Sequence, residues 1–266
     1  MISSAIDLEI LALLFCVAVV AACFDAIAGG GGLMTVPSLM LAGLDPAAAI
    51  ATNKLLGAAG TCSSTYAFAR RGLIDWRQAL FIAPVAALAA IAGALCVSRI
   101  SPDVLAAIIP LLLIGIAIYF ATAPRMTNED AVQRIPKTVF IGLFVPVVAF
   151  YDGLFGPGAG SFYMIGFVAL LGYGVLRATA HTKLANAVSN LGGLALFASS
   201  GLIVWQVGLL MALGSLIGAQ LGSLLAVRFG ARIIRPLLVV IACLMALRLL
   251  ADPQNPLRQA VSGLWM

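Results

Sequence analysis

Long apolar stretches follow one another down the whole chain, separated by short polar interruptions. They fall at about 10–28, 33–44, 47–69, 79–98, 103–122, 138–155, 161–172, 175–199, 206–227 and 233–250. Most reach the ~17–25 residues that a helix needs to cross the hydrocarbon core. Two of them, 33–44 and 161–172, are shorter, and each follows a glycine cluster. A transmembrane β-strand would alternate apolar and polar residues; these runs are unbroken, so the pattern predicts helices. The polar stretch 123–137, APRMTNEDAVQRIPK, is charged and proline-flanked. It reads as a cytoplasmic linker between a first transmembrane repeat, 1–122, and a second, 138–266. The N-terminal run resembles a signal peptide only superficially. Residues 1–9 carry Asp7 and Glu9 and no basic residue, so 10–28 is expected to be a retained helix.

The two halves repeat. Phe24-Asp25 followed by Gly29 and Gly31 returns 127 positions later as Tyr151-Asp152 followed by Gly156 and Gly158. Ala51-Thr52-Asn53-Lys54-Leu55 returns 129 positions later as Ala180-His181-Thr182-Lys183-Leu184, and Gly72-Leu73-Ile74-Asp75-Trp76 as Gly201-Leu202-Ile203-Val204-Trp205. Three blocks in order and almost in register indicate an internal duplication. Equivalent loops carry opposite charge. The loop at 69–77 holds Arg70, Arg71 and Arg77 while its counterpart is uncharged, and the next pair reverses, with Arg228, Arg232 and Arg235 in the second half. Cytoplasmic loops collect Lys and Arg, so equivalent loops are expected on opposite sides, with both termini outside. The expected fold is an all-α integral membrane protein with about eight to ten transmembrane segments. It is organised as an inverted-topology repeat of two five-segment halves with Gly-interrupted helices. Secondary transporters are built this way, with the substrate site at the repeat interface near the midplane.

Composition agrees. The 266 residues are 63% hydrophobic and 9% charged, with mean hydropathy +1.13, whereas soluble domains carry about 25% charged residues. The net charge of +5 follows from cytoplasmic basic loops and does not imply nucleic acid as a partner. Cys16, Cys23, Cys62, Cys96 and Cys243 stand singly in apolar runs, so neither a metal nor a disulfide is expected. No phosphate-loop motif is present. ATP is therefore not expected to drive the protein directly, and no cofactor is called for.

The chemistry concentrates around two buried cations. Lys54 lies eight residues after Pro46, about 12 Å into its helix, and Lys183 is similarly placed. A charge at such depth costs about 2.5–3.5 kcal/mol on insertion scales. Either the lysines line an anion site, or they are structural, snorkelling or paired with Asp25 or Asp152. Gly29, Gly30, Gly31 and Gly32 precede a helix expected from Leu33. Gly156, Gly158 and Gly160 precede one expected from Ser161. Free N–H groups at a helix start attract anions, although glycines also pack membrane helices, as read for Ala89–Gly93 and Gly218–Gly222. His181, where the first half has Thr52, either binds substrate, relays protons or forms a neutral hydrogen bond. Asp25 and Asp152 either cap and pair or shuttle protons. Asn53, Thr182, Asn186, Ser189 and Asn190 are neutral donors around the lysines, with Asn186 and Asn190 on the Lys183 face.

FDAIAGGGGLMTVP…ATNKL, repeated as YDGLFGPGAGSFY…AHTKLANAVSNLGG, resembles the sulfite exporter TauE/SafE family, in its general "probable membrane transporter" form. The resemblance covers nearly the whole chain. It implies a multi-pass protein of the bacterial cytoplasmic (inner) membrane that carries sulfite, sulfonates or related sulfur-containing anions. Its partners would be a small anionic substrate and the lipid bilayer, with a homo-oligomer left open. One departure is Pro37 after the first glycine cluster, where the second half has Met164. The competing readings are a channel, a membrane scaffold without transport, and an intramembrane hydrolase using Ser161 and His181. The hydrolase lacks a GxSxG motif, and its histidine sits in a block duplicated without it.

Overall fold

A computed structural model describes residues 7–97, 99–101, 103–109 and 129–229, together with single residues at 111, 114, 243, 244, 247 and 251. The expected segment 233–250 and most of 103–122 lie outside the described residues. The described residues form helices joined by turns and short irregular stretches, with no strand among them. The helices are α1 (Leu8–Ala28), α2 (Gly32–Leu41), α3 (Pro46–Ala69), α4 (Trp76–Val97), α5 (Lys137–Leu154), α6 (Ala159–Ala169), α7 (Val175–Ser200) and α8 (Trp205–Phe229). In α5 one turn, Phe140–Phe144, is widened to π geometry.

Local chemistry sets the ends. Pro46 opens α3 at a position whose N–H a helix does not use. Gly29 closes α1 in the left-handed region (φ 81°), its N–H returning to the Asp25 carbonyl. The second break turns on Gly156 and Gly158 (φ 88° and 79°). The following helix starts at Ala159, two residues earlier than expected, so Gly160 lies in its first turn rather than ahead of it. In the first half Gly32 is likewise the first helical residue.

Among the described residues four helices, Leu8–Ala28, Trp76–Val97, Lys137–Leu154 and Trp205–Arg228, are long and apolar enough to cross a membrane. α3 and α7 are as long, at 24 and 26 residues, but their middles carry Lys, Asn, Thr and His and are buried among the others. α2 and α6, with 10 and 11 residues, are only about 15–17 Å long. That is roughly half the ~30 Å core, so neither crosses by itself.

The packing is reciprocal between the halves. α1 lies against α8 as α5 lies against α4; α3 packs on α8 as α7 packs on α4; and α3 and α7 face each other. Close backbone approach at matching places makes this possible. A Cβ on Gly222 would run into the Cys23 carbonyl, and one on Gly93 into the Phe150 carbonyl. α3 and α7 run antiparallel: Thr52, early in α3, meets Val204 beyond the end of α7, and Asp75, beyond the end of α3, meets His181, early in α7. Leu80, Phe81 and Leu88 of α4 and Leu209, Leu213 and Ile217 of α8 stay exposed, as lipid-facing residues do. The polar stretch is not free in solvent along its length. Ala131 and Arg134 donate backbone hydrogen bonds to Gly172 and Leu170, and the Asp130 carboxylate accepts the Gly174 N–H at 2.6 Å.

Candidate functional site

The two glycine breaks meet. Ser161 donates its N–H to the Gly29 carbonyl at 3.1 Å and its hydroxyl to the Ala28 carbonyl at 2.7 Å. A Cβ on Gly29 would collide with the backbone of Gly160, and one on Gly160 would crowd Gly29 in return. Glycine is required here because two chain reversals pass through the same space.

Just before each break stands an aspartate, and each aspartate takes a lysine from the opposite half. Lys54 Nζ donates to Asp152 Oδ1 at 2.6 Å and to the Asp152 backbone carbonyl. Lys183 Nζ donates to Asp25 Oδ2 at 2.9 Å. Both lysines are completely buried, and neither lines the central cavity. The pairs neutralise charges whose desolvation costs several kcal/mol per ion, and they lock the halves together. They are not equivalent in detail. Asp152 accepts a further hydrogen bond on its second oxygen from Ser189 Oγ, and its side chain is 2% exposed. The Asp25 side chain is 15% exposed, and its other oxygen accepts the Gly31 N–H at 3.1 Å.

Beside these pairs is a cavity of about 440 Å³, counting the space at its mouth. Of the residues singled out from sequence, Asp25, Gly29, Gly31, Gly32, Asn53, Asp152, Gly156, Gly160, Asn186 and Asn190 line it. Gly30, Gly158, Ser161, His181 and Thr182 do not. The donors that face the cavity are specific. The N–H groups of Gly32 and Gly160, each at the start of a half-length helix, have no protein acceptor among the described residues. Asn53 Oδ1 accepts the Thr35 hydroxyl at 2.5 Å, and Asn186 Oδ1 accepts from the Asn190 amide at 3.1 Å. The amide nitrogens of Asn53 and Asn186 are thereby left to the cavity. Among the described residues no three His, Cys, Asp or Glu side chains converge as a metal site would require.

His181 is occupied elsewhere. Its Nε2 accepts the Asp75 N–H at 3.1 Å, so Nδ1 carries the proton and donates to the Arg177 carbonyl at 2.9 Å. Thr52 performs the same task in the first half, its hydroxyl accepting the Val204 N–H at 3.1 Å. The histidine packs against Phe167 and Tyr173 rather than opening to the cavity.

Several lining residues were missed from sequence: Ala21, Ala22, Thr35, Leu56, Gly57, Gly60, Thr61 and Ser215. Two carried a signal. Gly57 and Thr61 stand 129 positions before Asn186 and Asn190, so the duplication pointed to them. Asn190 needs the small partner, since a Cβ on Gly57 would lie 3.0 Å from its amide oxygen. Ser215 had no signal in the sequence. Its hydroxyl is buried with no hydrogen-bond partner among the described residues, and the residue lines the cavity.

Comparison with known proteins is consistent over the chain. Residues 14–249 match the family described as Sulfite exporter TauE/SafE. The "Probable membrane transporter protein ORF9" of Sinorhizobium sp. is 49% identical over 250 residues, covering 94% of this chain and 96% of that protein. The "Probable membrane transporter protein YfcA" of Escherichia coli K12 is 43% identical over 243 residues (91% and 90%). A "Probable membrane transporter protein" of Haemophilus influenzae is 39% identical over 247 residues (93% and 97%). No solved structure matches.

Proposed function

The chain belongs to the sulfite exporter TauE/SafE family, and from that premise we propose that it is a secondary transporter of a small anion bearing an oxidised sulfur group, sulfite or a sulfonate, across the cytoplasmic membrane. The observation that carries this reading is the cavity where the two breaks meet. Two half-length helices start at its wall with unpaired N–H groups at Gly32 and Gly160, and the Asn53 and Asn186 amides add further donors. An array of N–H donors suits an oxyanion. Each helix start contributes roughly half a positive charge, and such ends need no added cation to hold an anion. The buried Lys–Asp pairs keep the surrounding field near neutral, so an incoming anion meets neither strong repulsion nor a trap.

We read the halves as an inverted repeat, a relation supported by the antiparallel course of α3 and α7, their equivalent helices. Transport then follows from rocking one half against the other around a fixed site. The cross-half contacts, both ion pairs and the Thr52 and His181 hydrogen bonds, are the interactions that such rocking must rearrange. Uptake of radiolabelled sulfite or a sulfonate into proteoliposomes, with and without a proton gradient, tests the reading. Flux that requires the protein and falls in Lys54→Ala and Lys183→Ala is expected. No flux of any small anion, or flux unchanged in both variants, overturns it.

A further inference from the structure

The two Lys–Asp pairs come from one duplicated unit, yet one difference between the halves separates them. Ser189, which donates its hydroxyl to Asp152, has Gly60 as its equivalent 129 positions earlier. Asp25 therefore lacks the hydroxyl hydrogen bond that Asp152 accepts; both aspartates and Gly60 line the cavity, and Asp25 is the more open of the two. The side-chain exposures, 2% for Asp152 against 15% for Asp25, record the result.

From this asymmetry we infer that Asp25 is the proton-binding residue of the transport cycle, and that the Lys54–Asp152 pair is a fixed brace. The inference rests on the transport reading given above. A proton from water adds to the Asp25 carboxylate through the open cavity. Lys183 keeps its own proton and its positive charge, which the carboxylate no longer cancels, and that charge draws a monovalent anion to the neighbouring donors. When the cavity opens on the other side the anion leaves, Asp25 returns its proton to water, and the pair re-forms. One proton and one negative charge cross together, so the step is electroneutral. Around Asp25, α7 contributes Lys183, and α5 presents Asp152, already paired with Lys54. α2, α3 and α8 present only uncharged groups to the cavity, among them Thr35, Asn53 and Ser215.

The test is exchange of radiolabelled methanesulfonate in proteoliposomes at a series of equal internal and external pH values; this strong-acid anion stays ionised throughout. Wild-type exchange is expected to rise as pH falls. Asp25→Asn should exchange at a rate that no longer varies with pH. Gly60→Ser supplies the missing hydroxyl. An added Cβ there lies 3.3 Å from the Ser215 Cβ, a contact small side-chain shifts can absorb. Because hydrogen bonds to a carboxylate favour its charged form, this variant should move the pH profile to lower pH by about one unit. Asp152→Asn should instead lower the yield of monodisperse protein on gel filtration. A wild-type profile that survives both Asp25→Asn and Gly60→Ser overturns this inference and leaves the transport reading standing. Absence of wild-type exchange of both methanesulfonate and sulfite overturns the two together.

Discussion

Replacing Lys54 with methionine keeps most of the side chain's length and removes its charge. The ammonium it deletes is fully buried, donates to Asp152 Oδ1 at 2.6 Å and also serves the Asp152 backbone carbonyl. Asp152 would then keep one side-chain partner, the Ser189 hydroxyl, at a position where its side chain is 2% exposed. It must either stay charged without a counterion or take up a proton. Breaking a buried pair from one side costs about 3–5 kcal/mol, and a domain of this size shifts its Tm by about 2–4 °C per kcal/mol. A fall of roughly 6–20 °C is expected from these two figures. Lys183→Met should cost less, because Asp25 retains the Gly31 N–H and partial access to water. The double variant Lys54→Met/Asp152→Leu removes both charges and should recover much of the loss, since apolar replacement of a whole buried pair is often neutral or stabilising. Thermal unfolding of purified protein in detergent, followed by gel filtration, measures these proteins together with wild type and the single variant Asp152→Leu. A Lys54→Met protein as stable as wild type, or a double variant as unstable as the sum of its single changes, would refute the reasoning.

Other outcomes follow from single contacts. His181→Leu leaves the half-buried Asp75 N–H without its acceptor and should destabilise by about 1–3 kcal/mol. His181→Thr, which copies Thr52, should hold both stability and transport in the same detergent and liposome assays; loss of transport alone would make the ring part of the cycle. Ser215→Ala removes a hydroxyl that has no protein partner, so stability should change by less than about 0.5 kcal/mol while substrate affinity weakens about three- to tenfold, as read by competition in exchange. Gly93→Val should abolish the folded protein on gel filtration, because its Cβ would overlap the Phe150 carbonyl. Outside the membrane helices, the Gly174 N–H chiefly, against desolvation and with help from Arg177, holds the Asp130 carboxyl below its usual range. A carboxyl lowered by folding stabilises above its ordinary pKa and loses that effect as pH falls through the lowered value. The Asp130–Gly174 tie should thus persist at neutral pH and release only in acid, with faster Gly174 amide exchange in Asp130→Asn as the check.

Helix type, the glycine breaks and the duplication are all local or periodic features, so they could be read along the chain. Apolar runs at 10–28 and 79–98 became α1 and α4 within three residues at either end, because glycine, proline and the loss of apolar pattern act where they stand. The importance of Lys54 and Lys183 was also readable, since a buried charge demands compensation wherever it lies. Which carboxylate supplies it was not. The pairs join residues 98 and 158 positions apart, and only the antiparallel packing of α3 on α7 brings each lysine to the opposite half. The same holds for His181, whose acceptor nitrogen is taken by a backbone N–H 106 positions away. Ser215 became a cavity residue only because α8 packs against α1 and α3. Asp25 and Lys54 flank the same glycine break, but Asp25 answers Lys183 and Lys54 answers Asp152. A chain pattern records what each residue needs; the three-dimensional packing alone decides which distant residue meets that need.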